Sequence, residues 1–169
     1  MKRLALISAA ACLGLVGVGI AAARDGGPAD GTLVVKDGIG SVQFNGKGAV
    51  LGHIDRGYVQ VKDPNPDDGP QPIVNGAESA YDINAKTTRY AGTDIRFRML
   101  GGKFTITVVG ADIDLSIVGK GDVRIVGRGT DDDGTYSVNG APPEAILFLP
   151  VRFPLTAPPP TPGGGQNGG

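Results

Sequence analysis

Hydrophobic and polar residues alternate along most of the chain after residue 30. In residues 103–108, for example, Phe104, Ile106 and Val108 are separated by single threonine residues and preceded by a lysine. Alternation with a period of two puts one set of side chains on the packed face of a β-strand and the other set in water. The same pattern covers residues 32–35, 41–44, 58–61, 94–99, 112–117 and 122–125. We therefore predict an all-β domain over residues 31–155.

Glycines interrupt these segments at regular places, and no stretch after residue 24 has the periodicity of a long helix. The interruptions fall at residues 46–48, 101–102, 119–121 and 127–129, with Asn-Gly pairs at 75–76 and 139–140. Glycine and asparagine tolerate the positive φ angles of tight turns, so we expect hairpins at these positions. The fold class that this predicts is an antiparallel sandwich of roughly eight to eleven short strands. A small barrel and a short β-helix are the alternatives.

Two parts of the domain resemble each other. Residues 42–50 align with residues 115–123, with apolar positions matched and a Gly-Lys-Gly segment in both. An internal duplication would supply two sheets of a sandwich or two arcs of a barrel. Independent strands with glycine turns would also resemble each other, and both interpretations remain open at this point.

The N-terminus has the three parts of a secretory signal peptide. Lys2 and Arg3 precede an uncharged apolar stretch, residues 4–23, whose small residues Ala21 and Ala23 stand where signal peptidase needs them. We predict cleavage after residue 23, followed by a flexible entry at residues 24–30. An uncleaved N-terminal anchor is one alternative, because twenty apolar residues can span a bilayer. Lipidation at Cys12 is another.

Two further segments are unsuited to a sheet interior. Residues 63–72 contain four prolines, which lack the N–H group that a central strand needs, and we expect a surface loop there. Residues 156–169 are rich in proline and glycine and offer little to bury, so they predict a disordered tail.

Charge and cysteine content narrow the function classes. The chain has a formal net charge of −1, which offers no footprint for nucleic acid and no polybasic patch for anionic lipid. Its single cysteine, Cys12, lies in the predicted signal peptide. The mature domain would therefore have no disulfide, no thiolate nucleophile and no cysteine-ligated metal.

The segments 101–121 and 127–140 resemble a group of small, uncharacterised exported proteins from actinobacterial-type genomes. The stretches that show the likeness run from Gly101-Gly102-Lys103-Phe104 to Gly119-Lys120-Gly121, and from Gly127-Arg128-Gly129 to Val138-Asn139-Gly140. The resemblance spans roughly residues 31–155. It implies export and a β-rich domain, and it implies no activity and no functional residues.

Two acidic segments are candidate calcium ligands. The carboxylates of Asp131, Asp132 and Asp133 precede Gly134, and Ca²⁺ prefers oxygen ligands. The run lacks the alternation and the distal glutamate of a calcium loop, so an acidic turn is the competing interpretation. The loop with Asp63, Asp67 and Asp68 is a weaker case of the same kind. No other cofactor is expected.

The remaining candidate side chains are basic or aromatic. His53 is the only histidine, and no Gly-x-Ser-x-Gly nucleophile motif accompanies it, so a partly exposed strand residue is the simpler interpretation. Arg96 and Arg98 share a strand face, with Arg89 upstream, and would either bind an acidic ligand or form a solvated face beside aspartates. Tryptophan is absent, and the tyrosines are scattered at residues 58, 81, 90 and 136.

These observations predict a non-catalytic exported module for binding or structure at the cell envelope or outside the cell. Its partner would be an unknown envelope or extracellular molecule, not nucleic acid, and not the membrane once the signal is cleaved. A small-ligand carrier with a barrel cavity is the alternative. A secreted hydrolase is less favoured, and it would need a cleft in which His53 contacts carboxylates.

Overall fold

Antiparallel β-structure makes up the fold. The computed structural model describes residues 30–65 and 71–158. Its strands are β1 (Gly31–Lys62), β2 (Ile73–Asn84), β3 (Thr87–Gly127), β4 (Thr135–Val138), β5 (Glu144–Ala145) and β6 (Val151–Leu155). All strand pairs are antiparallel, which confirms the all-β antiparallel prediction. In these two ranges no helix is long and apolar enough to cross a membrane. The predicted signal peptide, including Cys12, Ala21 and Ala23, lies outside the described residues, as does most of the C-terminal tail.

Two very long strands wind around a common core. β1 has 32 residues and β3 has 41, far beyond the usual length of a strand. Ser116 of β3 pairs on one side with Val34 and on the other side with Leu51, both of which belong to β1. A continuous strand can flank both sides of its partner only if it winds around the molecule. One turn of this ribbon therefore runs from residue 34 to residue 51.

Two bends in each turn flatten the wound sheet into two layers. The first layer contains residues 32–36, 49–54, 95–100 and 113–118, with β4 at its edge. The second layer contains residues 41–46, 58–62, 87–91, 104–109 and 122–126, with β6 at its edge. Tyr136 of the first layer stacks on Phe153 of the second, with ring centroids 5.9 Å apart. The sandwich is thus built from one hydrogen-bonded sheet whose strands pass from layer to layer.

At one bend, glycines occupy the inward-facing positions. Gly46 pairs with Gly121, and Gly48 pairs with Gly119. A Cβ atom added at Gly48 would lie 2.7 Å from the Gly119 Cα atom, so the backbones approach too closely for any side chain. The hairpin turns predicted at residues 46–48, 101–102 and 119–121 are therefore wrong, because the strands continue through these glycines. The two similar Gly-Lys-Gly segments are paired neighbours at the same bend.

At the other bend, aspartates adopt a left-handed backbone. Asp37, Asp94 and Asp112 have φ angles of 53°, 51° and 51°, and none of the three has a register partner in the sheet. Such irregularities change which alternate residues face the core. Val35 is buried before the bend and Val42 after it, although one is odd-numbered and the other even-numbered.

The inward-facing side chains of both layers form one hydrophobic cluster. Phe44 and Phe104 contact edge to face, with centroids 5.8 Å apart. The Phe97 ring covers Gly52, where an added Cβ atom would collide with it. Burial of each such side chain stabilises the fold by about 1.5–3 kcal/mol. The other buried apolar residues are Leu33, Val35, Val42, Val50, Ile54, Val59, Val61, Ile95, Met99, Ile106, Val108, Ile113, Leu115, Ile117, Val123, Ile125, Tyr136, Ile146 and Leu155.

The tight turn between β2 and β3 was not predicted from the sequence. Ala85 and Lys86 form this turn, and the Asn84 side chain accepts a hydrogen bond from the Lys86 amide at 3.0 Å. Of the two Asn-Gly pairs, residues 139–140 form the predicted turn, whereas residues 75–76 lie within β2. β2 is the exposed edge of the sheet beside β3.

Replacing an inward glycine at the bend should destabilise the domain. We expect Gly48→Ala to lower the free energy of unfolding by about 3 kcal/mol, because its Cβ would press on the Val118 and Gly119 backbone. The matched control is Gly38→Ala, whose Cβ would come no closer than 3.1 Å to the Val35 side chain, 3.2 Å to the Ile113 Cβ atom and 3.3 Å to the Ile113 carbonyl oxygen, so small shifts can relieve the contacts. It should cost only about 1 kcal/mol. Urea unfolding followed by circular dichroism measures both, and equal losses would contradict the proposed geometry of the bend.

Candidate functional site

The outer face of the first layer carries a groove of about 510 Å³. Val34, Ser116, Leu51, Arg98 and Ile73 lie side by side across the strands there. The three apolar members of this row are 38%, 54% and 42% exposed, in strand order. They occupy outward positions, where strand alternation normally puts polar residues. The described residues therefore leave an apolar strip of the sheet uncovered.

A row of polar residues runs beside the apolar strip. Asp114, His53, Arg96 and Asn75 lie in register across four neighbouring segments of β1, β2 and β3. Lys36 extends this row, because its Nζ atom lies 3.2 Å from the Asp114 Oδ1 atom. The groove thus has an apolar side and a charged side.

Asp94 joins two of these basic side chains. Its Oδ1 atom lies 2.8 Å from His53 Nε2 and 3.3 Å from Arg96 Nη2. The hydrogen bond from His53, and next the charge of Arg96, hold the pKa of the Asp94 carboxyl below its ordinary value. Because a carboxylate only accepts, His53 must carry its proton on Nε2. The left-handed backbone of Asp94 at the bend directs its carboxylate toward both partners.

Arg98 is the basic residue of the groove that is left without an ion pair within residues 30–65 and 71–158. It lies between Leu51 and Ile73 in the apolar row. The prediction that Arg96 and Arg98 share a strand face is confirmed, since both are exposed on alternate positions of β3. The acidic neighbour of Arg96 is Asp94, and Arg89 lies in the other layer.

His53 does contact a carboxylate in a groove, as the hydrolase alternative requires. Its Nε2 atom is engaged by Asp94, and the described residues place no hydroxyl in hydrogen-bonding contact with the ring. Nucleophilic catalysis needs a nucleophile within hydrogen-bond reach of its base. Within the described residues, the groove thus combines a histidine and a carboxylate, and its one serine, Ser116, forms no hydrogen bond to the ring.

The predicted calcium ligands form a turn. Asp133 is buried, and its carboxylate accepts hydrogen bonds from the Gly129 amide at 2.6 Å and from the amide and hydroxyl of Thr130. These bonds hold the pKa of the Asp133 carboxyl low. Asp132 accepts the amide of Gly134 at 3.1 Å. In the part of the chain that the structure describes, no three His, Cys, Asp or Glu residues form a cluster that could bind a metal ion. Calcium binding by Asp131, Asp132 and Asp133 stays an untested prediction.

The acidic loop at residues 63–72 is only partly described. Asp63 accepts a hydrogen bond from the Asn65 amide at 2.9 Å, which is an ordinary turn interaction. Asp67 and Asp68 lie outside the described residues.

The four tyrosines occupy three different environments. Tyr58 and Tyr81 flank Arg89, whose guanidinium carbon lies 4.3 Å and 5.9 Å from their ring centroids. Tyr90 is partly buried, which raises its pKa. Burial, together with a 2.7 Å hydrogen bond to Glu144, raises the pKa of Tyr136 to about 12. Two of the tyrosines therefore remain available on one outer face.

Sequence analysis missed the apolar residues of the groove. Val34 and Leu51 are apolar residues next to buried ones, Leu33, Val35 and Val50, so in the sequence they resemble core positions. The available signal was their position in the alternation. Both residues fall between inward-facing positions, where strict alternation would put a polar residue. Asp94 was also missed as the partner of His53.

Comparison with known proteins identifies no relative: no protein-family model, no curated protein and no solved structure matches this chain. The resemblance to exported actinobacterial-type proteins thus stays a prediction. Function has to be argued from the surfaces of the domain.

The hydrogen bond between Asp94 and His53 should be visible in a pH titration. Because the folded-state pKa of the Asp94 carboxyl is lowered, the stabilisation is complete above the ordinary carboxyl value of 3.8 and is lost as the pH falls through the lowered value. His53→Ala should raise the Asp94 pKa toward the ordinary value, as measured by NMR of the carboxyl carbon. Lys36→Ala should leave the Asp94 pKa unchanged, because Lys36 pairs with Asp114. An unchanged pKa in His53→Ala would show that the pair is absent in solution.

Proposed function

We propose that this protein is an exported, non-catalytic binding module that takes an acidic amphiphile into the groove of its first layer. The observation that carries the proposal is the row of exposed Val34, Leu51 and Ile73 with Arg98 among them. An amphiphile with an apolar body and an anionic head group complements both parts of this row. Exposed apolar strips bounded by polar residues are typical of interaction sites.

The size and chemistry of the groove suit such a ligand. Its volume of about 510 Å³ falls within the usual range of small-molecule sites, about 300–1,000 Å³. Further burial of an exposed leucine side chain contributes on the order of 1 kcal/mol. Arg98 can donate charge-assisted hydrogen bonds to a carboxylate. Asp114 and Asp94 already engage Lys36 and Arg96, so Arg98 is the cation left for the head group.

A fluorescent anionic amphiphile tests the groove directly. We expect 8-anilinonaphthalene-1-sulfonate to bind the intact mature protein saturably and to be displaced by dodecanoate. Leu51→Ser should weaken both ligands by about tenfold, through the loss of apolar contact. Arg98→Gln should weaken dodecanoate and leave the neutral dodecanol almost unchanged, because only the acid uses the guanidinium group.

The matched control is Leu147→Ser, which removes a leucine of similar exposure, 58%, from a loop away from the groove. It should bind both ligands like the wild type. Equal weakening by Leu147→Ser and Leu51→Ser, or no saturable binding at all, would refute the proposed site.

Export is the second part of the proposal. It is supported by the positive charge of Lys2 and Arg3, by the uncharged apolar stretch that follows them, and by the small residues Ala21 and Ala23. We expect the protein recovered from a bacterial host to have an intact mass that begins at Arg24, in the soluble or medium fraction. A full-length mass in the membrane fraction would instead make residues 4–23 an anchor.

A further inference from the structure

The outer face of the second layer presents a straight row of polar side chains, here called the polar ladder. Its members are neighbours in register across seven adjacent segments of β1, β2, β3 and β6: Tyr81, Arg89, Gln60, Thr107, Gln43, Arg124 and Arg152. At a strand spacing of about 4.8 Å, the ladder is roughly 29 Å long. The ladder is thus far longer than a site for a single small ion.

The arginines of the ladder have no acidic partner. None of Arg89, Arg124 and Arg152 forms an ion pair within the described ranges 30–65 and 71–158. Arg124 lies directly opposite Arg152 on the neighbouring strand, and like charges at opposite positions of a sheet repel. The Arg124 Nε atom is also buried without a hydrogen-bond partner. An anion between the two guanidinium groups would relieve the repulsion.

Near the Tyr81 end of the ladder, neighbouring side chains hold Arg89 in place. Arg89 Nη2 and Nε donate to Gln60 Oε1 at 2.7 and 3.1 Å, and the guanidinium group stacks on Tyr58. These contacts fix the cation in one orientation and leave its charge unneutralised. A preorganised cation binds a carboxylate with less loss of conformational freedom.

The middle of the ladder can both donate and accept hydrogen bonds. The Gln43 amide nitrogen lies 3.4 Å from the Thr107 hydroxyl, a long contact that either group can exchange for a ligand. Amides and hydroxyls in one line match the hydroxyl groups of sugars, which also donate and accept. A groove of about 460 Å³ adjoins this row, and its lining includes Arg124 and Arg152 together with Gln43, Asn45 and one acidic side chain, Asp122.

We propose that the polar ladder binds a carboxylate-bearing polysaccharide whose chain lies across the strands. The arginines at its two ends pair with uronic acid carboxylates, and the glutamine and threonine side chains between them bond sugar hydroxyls. The site is on the opposite outer face from the amphiphile groove and does not depend on it. Nucleic acid is disfavoured, because the ladder has a single aromatic residue, Tyr81, for stacking bases.

Polygalacturonate is the probe for this site. We expect the intact mature protein to bind it saturably in isothermal titration calorimetry at low salt, more tightly than monomeric galacturonate, and not to bind neutral dextran. Arg124→Gln with Arg152→Gln should weaken polymer binding by about tenfold, through the loss of charge-assisted hydrogen bonds. Arg89→Gln should also weaken the polymer, yet leave the monomer unaffected, because a monomer cannot reach both ends of the ladder.

The matched control is Arg56→Gln with Arg128→Gln, which removes the same charge from exposed positions near the aspartate bend. It should bind polygalacturonate like the wild type, and circular dichroism should show that all variants are folded. Equal weakening by this control, equal affinity for polymer and monomer, or equally tight binding of a DNA duplex would each overturn the proposal.

Discussion

Close backbone contact at the inward-facing glycines is the constraint on which the rest of the structure depends. At the glycine bend, the strands can approach each other closely while folding over the core only if the positions that face each other carry no side chain. Gly46 against Gly121 and Gly48 against Gly119 meet that condition, and both long strands pass the bend there. Without it, β1 could not pair with both sides of β3, and neither layer would be complete.

Winding brings together residues that are far apart in the sequence. Each outer face consists of rows that run across the strands, so neighbours in a row come from different turns of the ribbon. Val34 and Leu51 flank Ser116, and Gln43 and Gln60 flank Thr107. A binding surface of this kind is specified by register, and a shift of one residue would move its side chains into the core.

The sequence predicted the strands well because alternation reports directly on burial. Phe104, Ile106 and Val108 are all buried, as their spacing required. It could not distinguish a turn from a bend, because Gly-Lys-Gly suits both, and only the pairing of Gly46 with Gly121 decides between them. The groove was not predictable for a related reason. The contact of His53 with Asp94 and the alignment of Leu51 with Arg98 depend on how turns of the ribbon stack, which no local pattern encodes.

The two outer faces differ in how far their basic side chains are paired with carboxylates, and this difference argues for two separate binding roles. On the groove face, Asp114 and Asp94 engage Lys36 and Arg96, so among the described residues Arg98 is the cation without an ion pair beside the apolar strip. On the ladder face, Arg89 is held by the neutral Gln60 side chain, and within the described ranges none of the ladder's arginines has an ion pair, so their charge stays available. The shared core separates the faces, and sites that share no contacts are expected to act independently. A ligand on one face would therefore leave the other free, so the two proposed sites could be occupied at the same time without any moving part.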